Sequence, residues 1–206
     1  MTFEAVIFDC DGVLADSEWA SAAAWQNTLA VYGCRLSVEE FAGFIGTTDR
    51  DLARAFGQRL GIEPDLILNT ANDRLRVILE GGLPAFPDAT GLLERLDQKV
   101  AVASNSDRWR LDAVLAAAGL IGRFVVSVAA DEVGQPKPAP DVYLRAAELL
   151  GASPGRCLVI EDSPTGIAAA RAAGLKVVAV DRGHFARELL EQADEVVGSL
   201  DELQSW

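Results

Sequence analysis

Short apolar runs alternating with helical patterns constrain this chain more than any other feature. Strand-like runs fall at Ala5–Phe8, Val100–Ala103, Val125–Val128, Cys157–Ile160 and Val177–Val180, with a weaker one at Val196-Val197. Helical patterns separate them over Asp88–Asp97, Arg110–Ala118, Asp141–Leu150, Gly166–Ala173 and Ala186–Gln192. Runs this short and this apolar suit strands buried on both faces, and their alternation with helices predicts an α/β, doubly wound parallel sheet. Gly119, Gly151 and Gly174 fall just past three of the helices, where a left-handed cap residue is favoured.

Residues 16–85 break this rhythm. They hold no clear strand and read as helices over Ala20–Tyr32, Val38–Phe44, Arg50–Leu60 and Pro64–Leu79. Ser37, with Glu40 three residues on, predicts a capping box. Gly81-Gly82-Leu83-Pro84 closes the segment as a hinge. The expected organisation is a core of residues 1–15 and 86–206 with an inserted helical cap, 16–85. A cap on two tethers at the ligand edge suits a lid that excludes water and selects substrate.

Half of the 206 residues are apolar and the net charge is −13. The composition argues against disorder, and the charge against nucleic acid or an anionic membrane as a partner. No apolar stretch approaches the roughly 20 residues of a membrane span, and no secretion signal is evident. Cys10, Cys34 and Cys157 lack metal-ligand spacing and read as reduced cytosolic thiols. A cytoplasmic location and a monomer are the expectations.

Polar residues gather where strands end. Ala5–Phe8 runs directly into Asp9-Cys10-Asp11-Gly12, placing two carboxylates at the edge where open α/β sheets bind ligands. Carboxylates this close repel, so a cation between them or a proton on one is expected. Ser104-Asn105-Ser106 follows the second run and Glu161-Asp162-Ser163 the fourth. Lys137, one of only three lysines, sits between Pro136 and Pro138 in a loop the prolines restrain. Singly, each has a plain alternative: Ser104 or Asp162 as a helix cap, Lys137 as a surface charge. Together, at one edge of one sheet, they read as a site.

Phe8-Asp9-Cys10-Asp11-Gly12-Val13-Leu14 resembles the first motif of the haloacid dehalogenase-like superfamily. Ser104, Lys137 and Glu161-Asp162 fall in the order of its other motifs. Asp16-Ser17-Glu18, Gly134–Asp141 and Ile160–Gly166 are similar to its sugar-phosphate phosphatases and β-phosphoglucomutases with a helical cap. The resemblance implies a Rossmann-like core and an Mg²⁺-dependent phosphatase working through an aspartyl-phosphate. It implies Asp9 as nucleophile, Asp11 as general acid and base, and Asp9, Glu161, Asp162 and the Asp11 carbonyl as Mg²⁺ ligands. Ser104 and Asn105 would hold the phosphate, and Lys137 would offset its charge.

Absences narrow the choice. No lysine lies between Asp16 and Ala85, which disfavours the imine chemistry of phosphonoacetaldehyde hydrolases. Ser21 and Ile45 stand where β-phosphoglucomutases carry a histidine and a lysine, and the single histidine, His184, is expected at the surface. Hydrolysis of a phosphorylated sugar or sugar acid is therefore expected, with a phosphosugar mutase and a phospho-acceptor or non-catalytic binding protein as alternatives. Candidate substrate contacts are Glu18, Trp25, Thr47, Thr48, Arg50 and Arg76. Arg50 follows Gly46-Thr47-Thr48 and is suited to a second anionic group.

Overall fold

The structure is a computed structural model that describes residues 3–45 and 47–203, so Gly46 of the expected specificity loop lies outside the described residues. Six parallel strands, β1 (Ala5–Phe8), β2 (Lys99–Ala103), β3 (Val126–Val128), β4 (Cys157–Glu161), β5 (Lys176–Val180) and β6 (Glu195–Val197), form one sheet. Their order is β3-β2-β1-β4-β5-β6. β1 and β4 lie at its centre and are buried throughout. Side-chain alternation divides the strands between two cores. Val6, Phe8, Val102, Ile160 and Val178 enter one, and Ala5, Ile7, Ala101, Val159 and Val177 the other. Each fully buried Val, Ile or Phe gains about 1.5–3 kcal/mol, which explains why the runs are apolar on both faces.

Helices cover both faces. α5 (Pro87–Arg95) and α6 (Arg108–Ala117) contribute Leu92, Leu111 and Val114 to the first core. α7 (Asp141–Leu150), α8 (Pro164–Ala172) and α9 (Arg187–Leu190) contribute Tyr143, Ile167 and Leu190 to the second. α5 and α8 start before their apolar pattern does, because proline fits the first helical turn. α9 is shorter than the pattern predicts. The chain beyond it turns so that Asp194 accepts bonds from the Val177 amide at 2.9 Å and Lys176 at 2.6 Å. Gly119, Gly151 and Gly174 all take positive φ, as expected.

The inserted cap consists of α1 (Glu18–Val31), α2 (Val38–Ala42), α3 (Asp49–Leu60) and α4 (Pro64–Glu80). Trp25, Leu29, Phe41, Leu52, Phe56 and Ile67 form a core of their own there. Ala20, Ala24, Leu75 and Leu79 pack instead on the first core of the sheet. The two tethers run side by side: Ala15 bridges Ala85, and the Phe86 amide donates to the Leu14 carbonyl at 2.9 Å. The expected Ser37 box is only half formed. Ser37 accepts from the Glu40 amide at 3.1 Å, while the Glu40 carboxylate pairs with Arg59 at 2.6 Å. The reciprocal box is made by Thr48 and Asp51 at the start of α3. Among the described residues, no helix is long and apolar enough to cross a membrane.

Candidate active site

The order of the sheet reverses between β1 and β4, so the chain leaves their carboxyl ends in opposite directions and opens a crevice there. In-register pairing of Phe8 with Val102 and Ile160 brings Asp9 to within one residue of the level of Ser104 and Asp162 and level with Glu161. An open cavity sits above them, between core and cap.

Lys137 occupies the floor of this cavity. Its Nζ donates to Asp9 Oδ1 at 2.5 Å, Glu161 Oε1 at 2.8 Å and the Ala103 carbonyl at 3.0 Å. Asn105 holds the lysine's backbone from both sides, accepting from its amide at 2.7 Å and donating to its carbonyl at 3.2 Å. Burial opposes the charge on Lys137, but Asp9 and Glu161 outweigh it and hold its pKa above the ordinary value. Asp9 moves upward. Burial is the main cause, with Glu161, Asp162 and Asp11 adding to it against the opposing charge of Lys137. An excess of carboxylates of this kind favours a bound cation.

Glu161 is fully buried and its two oxygens take five hydrogen bonds. Lys137 and Tyr143 Oη donate to Oε1, the latter at 2.7 Å. The Asp162 amide, the Ser163 amide and Ser163 Oγ donate to Oε2 at 2.9–3.0 Å. These bonds and Lys137 keep its pKa low despite burial. The carboxylate lies against Gly166, where a Cβ would stand 1.5 Å from Oε1. Gly166→Ala is therefore expected to destabilise the fold by on the order of 3 kcal/mol, a melting-temperature loss of several degrees. A variant melting within one degree of wild type would contradict this packing. Gly12, at φ +80°, also leaves no room for a side chain, with Asp162 Oδ2 2.1 Å from the position of a Cβ.

Asp9 and Asp11 find different partners: Lys137 bonds the Asp9 carboxylate but not that of Asp11. The Asp11 carboxylate turns toward Ser17, Ser106 Oγ at 3.0 Å, Ser104 Oγ at 3.4 Å and Arg110 at 3.4 Å. Burial would raise its pKa, but Arg110 and the hydroxyls offset this and lower it. Arg110, buried on α6, also reaches Asp49 of the cap at 2.6 Å. Asp162 is raised to about 6, by burial first and then by Glu161, with His184 opposing. Glu18, at the rim, is raised to about 7 by burial and the nearby Asp11.

Asp9, Asp11, Asn105, Lys137, Asp162, Glu18, Thr47, Thr48 and Arg50 all line this cavity, while Ser104 and Glu161 lie buried just behind its wall. Two sequence expectations are corrected. Trp25 is buried in the cap core and does not itself line the cavity, but donates at 3.0 Å to Asp49, which does. His184 is half-buried rather than superficial, with Nδ1 3.6 Å from Asp162, because the loop after β5 folds back over the sheet edge. Arg76 lines an adjoining cavity and stacks on Trp109, 4.3 Å from the ring centre.

Sequence reasoning gave no individual role to Ser17 or Ser106, which it met only within motifs, and missed Arg110, Tyr143 and the pair Asp88–Arg182. Arg110 and Asp88 did leave a trace: each precedes an apolar residue of its helix by four, placing a charge on the buried stripe. Arg182 binds Asp88 through both guanidinium nitrogens at 2.8 and 3.0 Å and donates to the Gly12 and Val13 carbonyls at 3.1 and 3.3 Å. It thereby fixes the turn that follows Asp11. Burial would raise the Asp88 pKa, yet the bonds from Arg182, Leu200 and Ser199 lower it overall. A lowered folded-state pKa contributes stability above the unfolded value of about 3.9 and loses it as pH falls through the folded value. The melting-temperature gap between wild type and Asp88→Asn is thus expected to be full at pH 7 and to close toward pH 3. A gap independent of pH would refute this assignment.

The haloacid dehalogenase-like hydrolase family matches residues 3–174 of the chain. The protein belongs to that family. Protein CbbY of Rhodobacter capsulatus is 37% identical over 195 residues, covering 86% of this chain and 85% of its own. Fructose-1-phosphate phosphatase YqaB of Escherichia coli is 31% identical over 181 residues, covering 86% and 96%. CbbY from Rhodobacter sphaeroides, in a crystal structure with xylulose-1,5-bisphosphate, superposes with a TM-score of 0.87 at 26% identity, covering 98% and 96%. As a haloacid dehalogenase-like hydrolase, this protein places three buried carboxylates, Asp9, Glu161 and Asp162, with oxygens within 4.8 Å of one another. That all-oxygen set fits a hard divalent cation, with Asp9 and Asp162 facing the cavity and Glu161 braced behind them.

Proposed function

We propose that the protein is an Mg²⁺-dependent phosphatase that hydrolyses a small phosphorylated sugar or sugar acid, acting as a cytoplasmic monomer. The observation that carries this reading is the Asp9 carboxylate at the mouth of the central strand, with Lys137 at 2.5 Å and Asp162 beside it below an open cavity. The family match and the phosphosugar relatives support the same substrate class.

Asp9 attacks phosphorus, forming an O–P bond as the bond to the leaving oxygen breaks. Asp11, which enters this step protonated, delivers its proton to that oxygen and releases the alcohol. Water then attacks the aspartyl-phosphate, Asp11 takes its proton, and inorganic phosphate leaves with Asp9 regenerated. Lys137 stays cationic beside Asp9 and opposes the charge gathering on the phosphoryl group, while Ser104 and Asn105 position its oxygens. Asp9, Asp162, Glu161 and the Asp11 carbonyl would hold Mg²⁺, which supplies charge neutralisation.

Phosphate release across a panel of sugar phosphates and sugar-acid phosphates, with and without Mg²⁺, tests the proposal. Metal-dependent release is expected on at least one compound. Release that persists in excess chelator, or a chain inert toward the whole panel, would overturn it.

A further inference from the structure

We propose that the leaving group is an uncharged sugar or polyol, and that Asp73 and Asp107 disfavour substrates carrying a second anionic group. The inference rests on the phosphatase reading above and narrows it.

The catalytic cavity continues past Leu68, Asn72 and Trp109 into an outer one. Sequence alone suggested Arg50 for a second anion, and Arg76 also faces this outer space. Both guanidiniums are matched. Arg50 Nη2 lies 3.2 Å from Asp107 and Arg76 Nη1 lies 3.2 Å from Asp73. Asp65 adds a third carboxylate, so the outer lining carries more negative charge than positive. Deeper in, Arg110 is shared by Asp49 and Asp11, and Lys137 by Asp9 and Glu161. Among the described residues lining the two cavities, every lysine and arginine is in an ion pair.

Arg50 and Arg76 are about half exposed, and exposed pairs exchange partners at little cost. Pairing geometry alone would therefore not keep an anion out. The number of charges would. An anion that captures Arg50 leaves the Asp107 carboxylate unmatched beside it, so a repulsion replaces the attraction that was lost. The chain's net charge of −13 has the same sign. Hydroxyl groups meet no such penalty. They donate to the carboxylates and both donate to and accept from the Asn69 and Asn72 carboxamides, leaving the ion pairs in place.

The test compares fructose 1-phosphate and a hexitol phosphate with xylulose 1,5-bisphosphate and phosphoglycolate. It uses the intact protein, Mg²⁺ and two readouts: kcat/KM of wild type, and calorimetric binding to Asp9→Asn. Both neutral-bodied monophosphates are expected to exceed the doubly anionic compounds by tenfold or more. Asp73→Asn/Asp107→Asn, at two surface-accessible positions, is expected to narrow that gap severalfold by improving the doubly anionic compounds. A bisphosphate or acid that equals the monophosphates, or a gap unmoved by the double substitution, would overturn the inference. If turnover is absent throughout, the phosphatase reading fails while the binding ranking still decides this one. Binding of none of the four compounds would overturn both.

Discussion

Asp9→Asn is expected to lower phosphate release by roughly 10⁴–10⁶-fold, the scale seen when a nucleophile is removed from an otherwise intact site. Acid–base help from Asp11 supplies about 10²–10⁴ in such reactions, so it cannot replace the covalent step. The fold should survive. Asparagine keeps the shape of Asp9, and Lys137 retains Glu161 at 2.8 Å as its counter-charge. Removing one of several crowded buried carboxylates also relieves repulsion, since Glu161, Asp162 and Asp11 all push the Asp9 pKa up. The melting temperature in chelator should therefore equal or exceed that of wild type. Activity within tenfold of wild type would exclude Asp9 as the nucleophile. Loss of activity with loss of fold would show that its role in the cluster had been misread.

Lys137→Met is expected to have the largest effect on stability. Its side chain is 3% exposed and, among the described residues, it is the only cation paired with the two buried carboxylates Asp9 and Glu161. Removing one partner of a buried pair costs about 3–5 kcal/mol, because the other charge is left uncompensated. For a chain of this length that corresponds to roughly 10 °C of melting temperature in chelator. Methionine fills the volume, so the loss reports charge rather than a cavity. Combining Lys137→Met with Asp9→Asn removes one stranded carboxylate and should recover part of the loss, a coupling that a double-mutant cycle reads directly. Strictly additive losses would show that the two groups do not stabilise one another.

Much of this was written locally. Uninterrupted apolar runs located the strands to within a residue or two, because a strand buried on both faces takes apolar side chains at nearly every position, Glu161 at the end of β4 being the exception. The residues that follow those runs had to meet at one edge, because parallel strands all end on the same side. That is why Asp9, Ser104, Lys137 and Glu161-Asp162 are legible as a group in the amino-acid order alone. The reach of long side chains was not legible in the same way. His184 is distant in sequence from Asp162 yet 3.6 Å away, and Arg182 returns 170 residues to bind the Gly12 carbonyl at 3.1 Å. Trp25 could have faced a ligand or the cap core, and only the packing of α1 against its neighbours buried it.

Short-range pattern and strand polarity were thus enough for the parallel α/β core, the inserted helical segment and the identity of the floor residues. Which charges meet was settled only in three dimensions. Folding turned Asp11 toward Ser17 and Arg110, surrounded Glu161 with five donors, and set Asp107 and Asp73 against the arginines that an incoming anion would need. The physical reason is range. Backbone periodicity is set by neighbours a few residues away, whereas a charge is defined by whatever lies within a few ångströms, from any part of the chain.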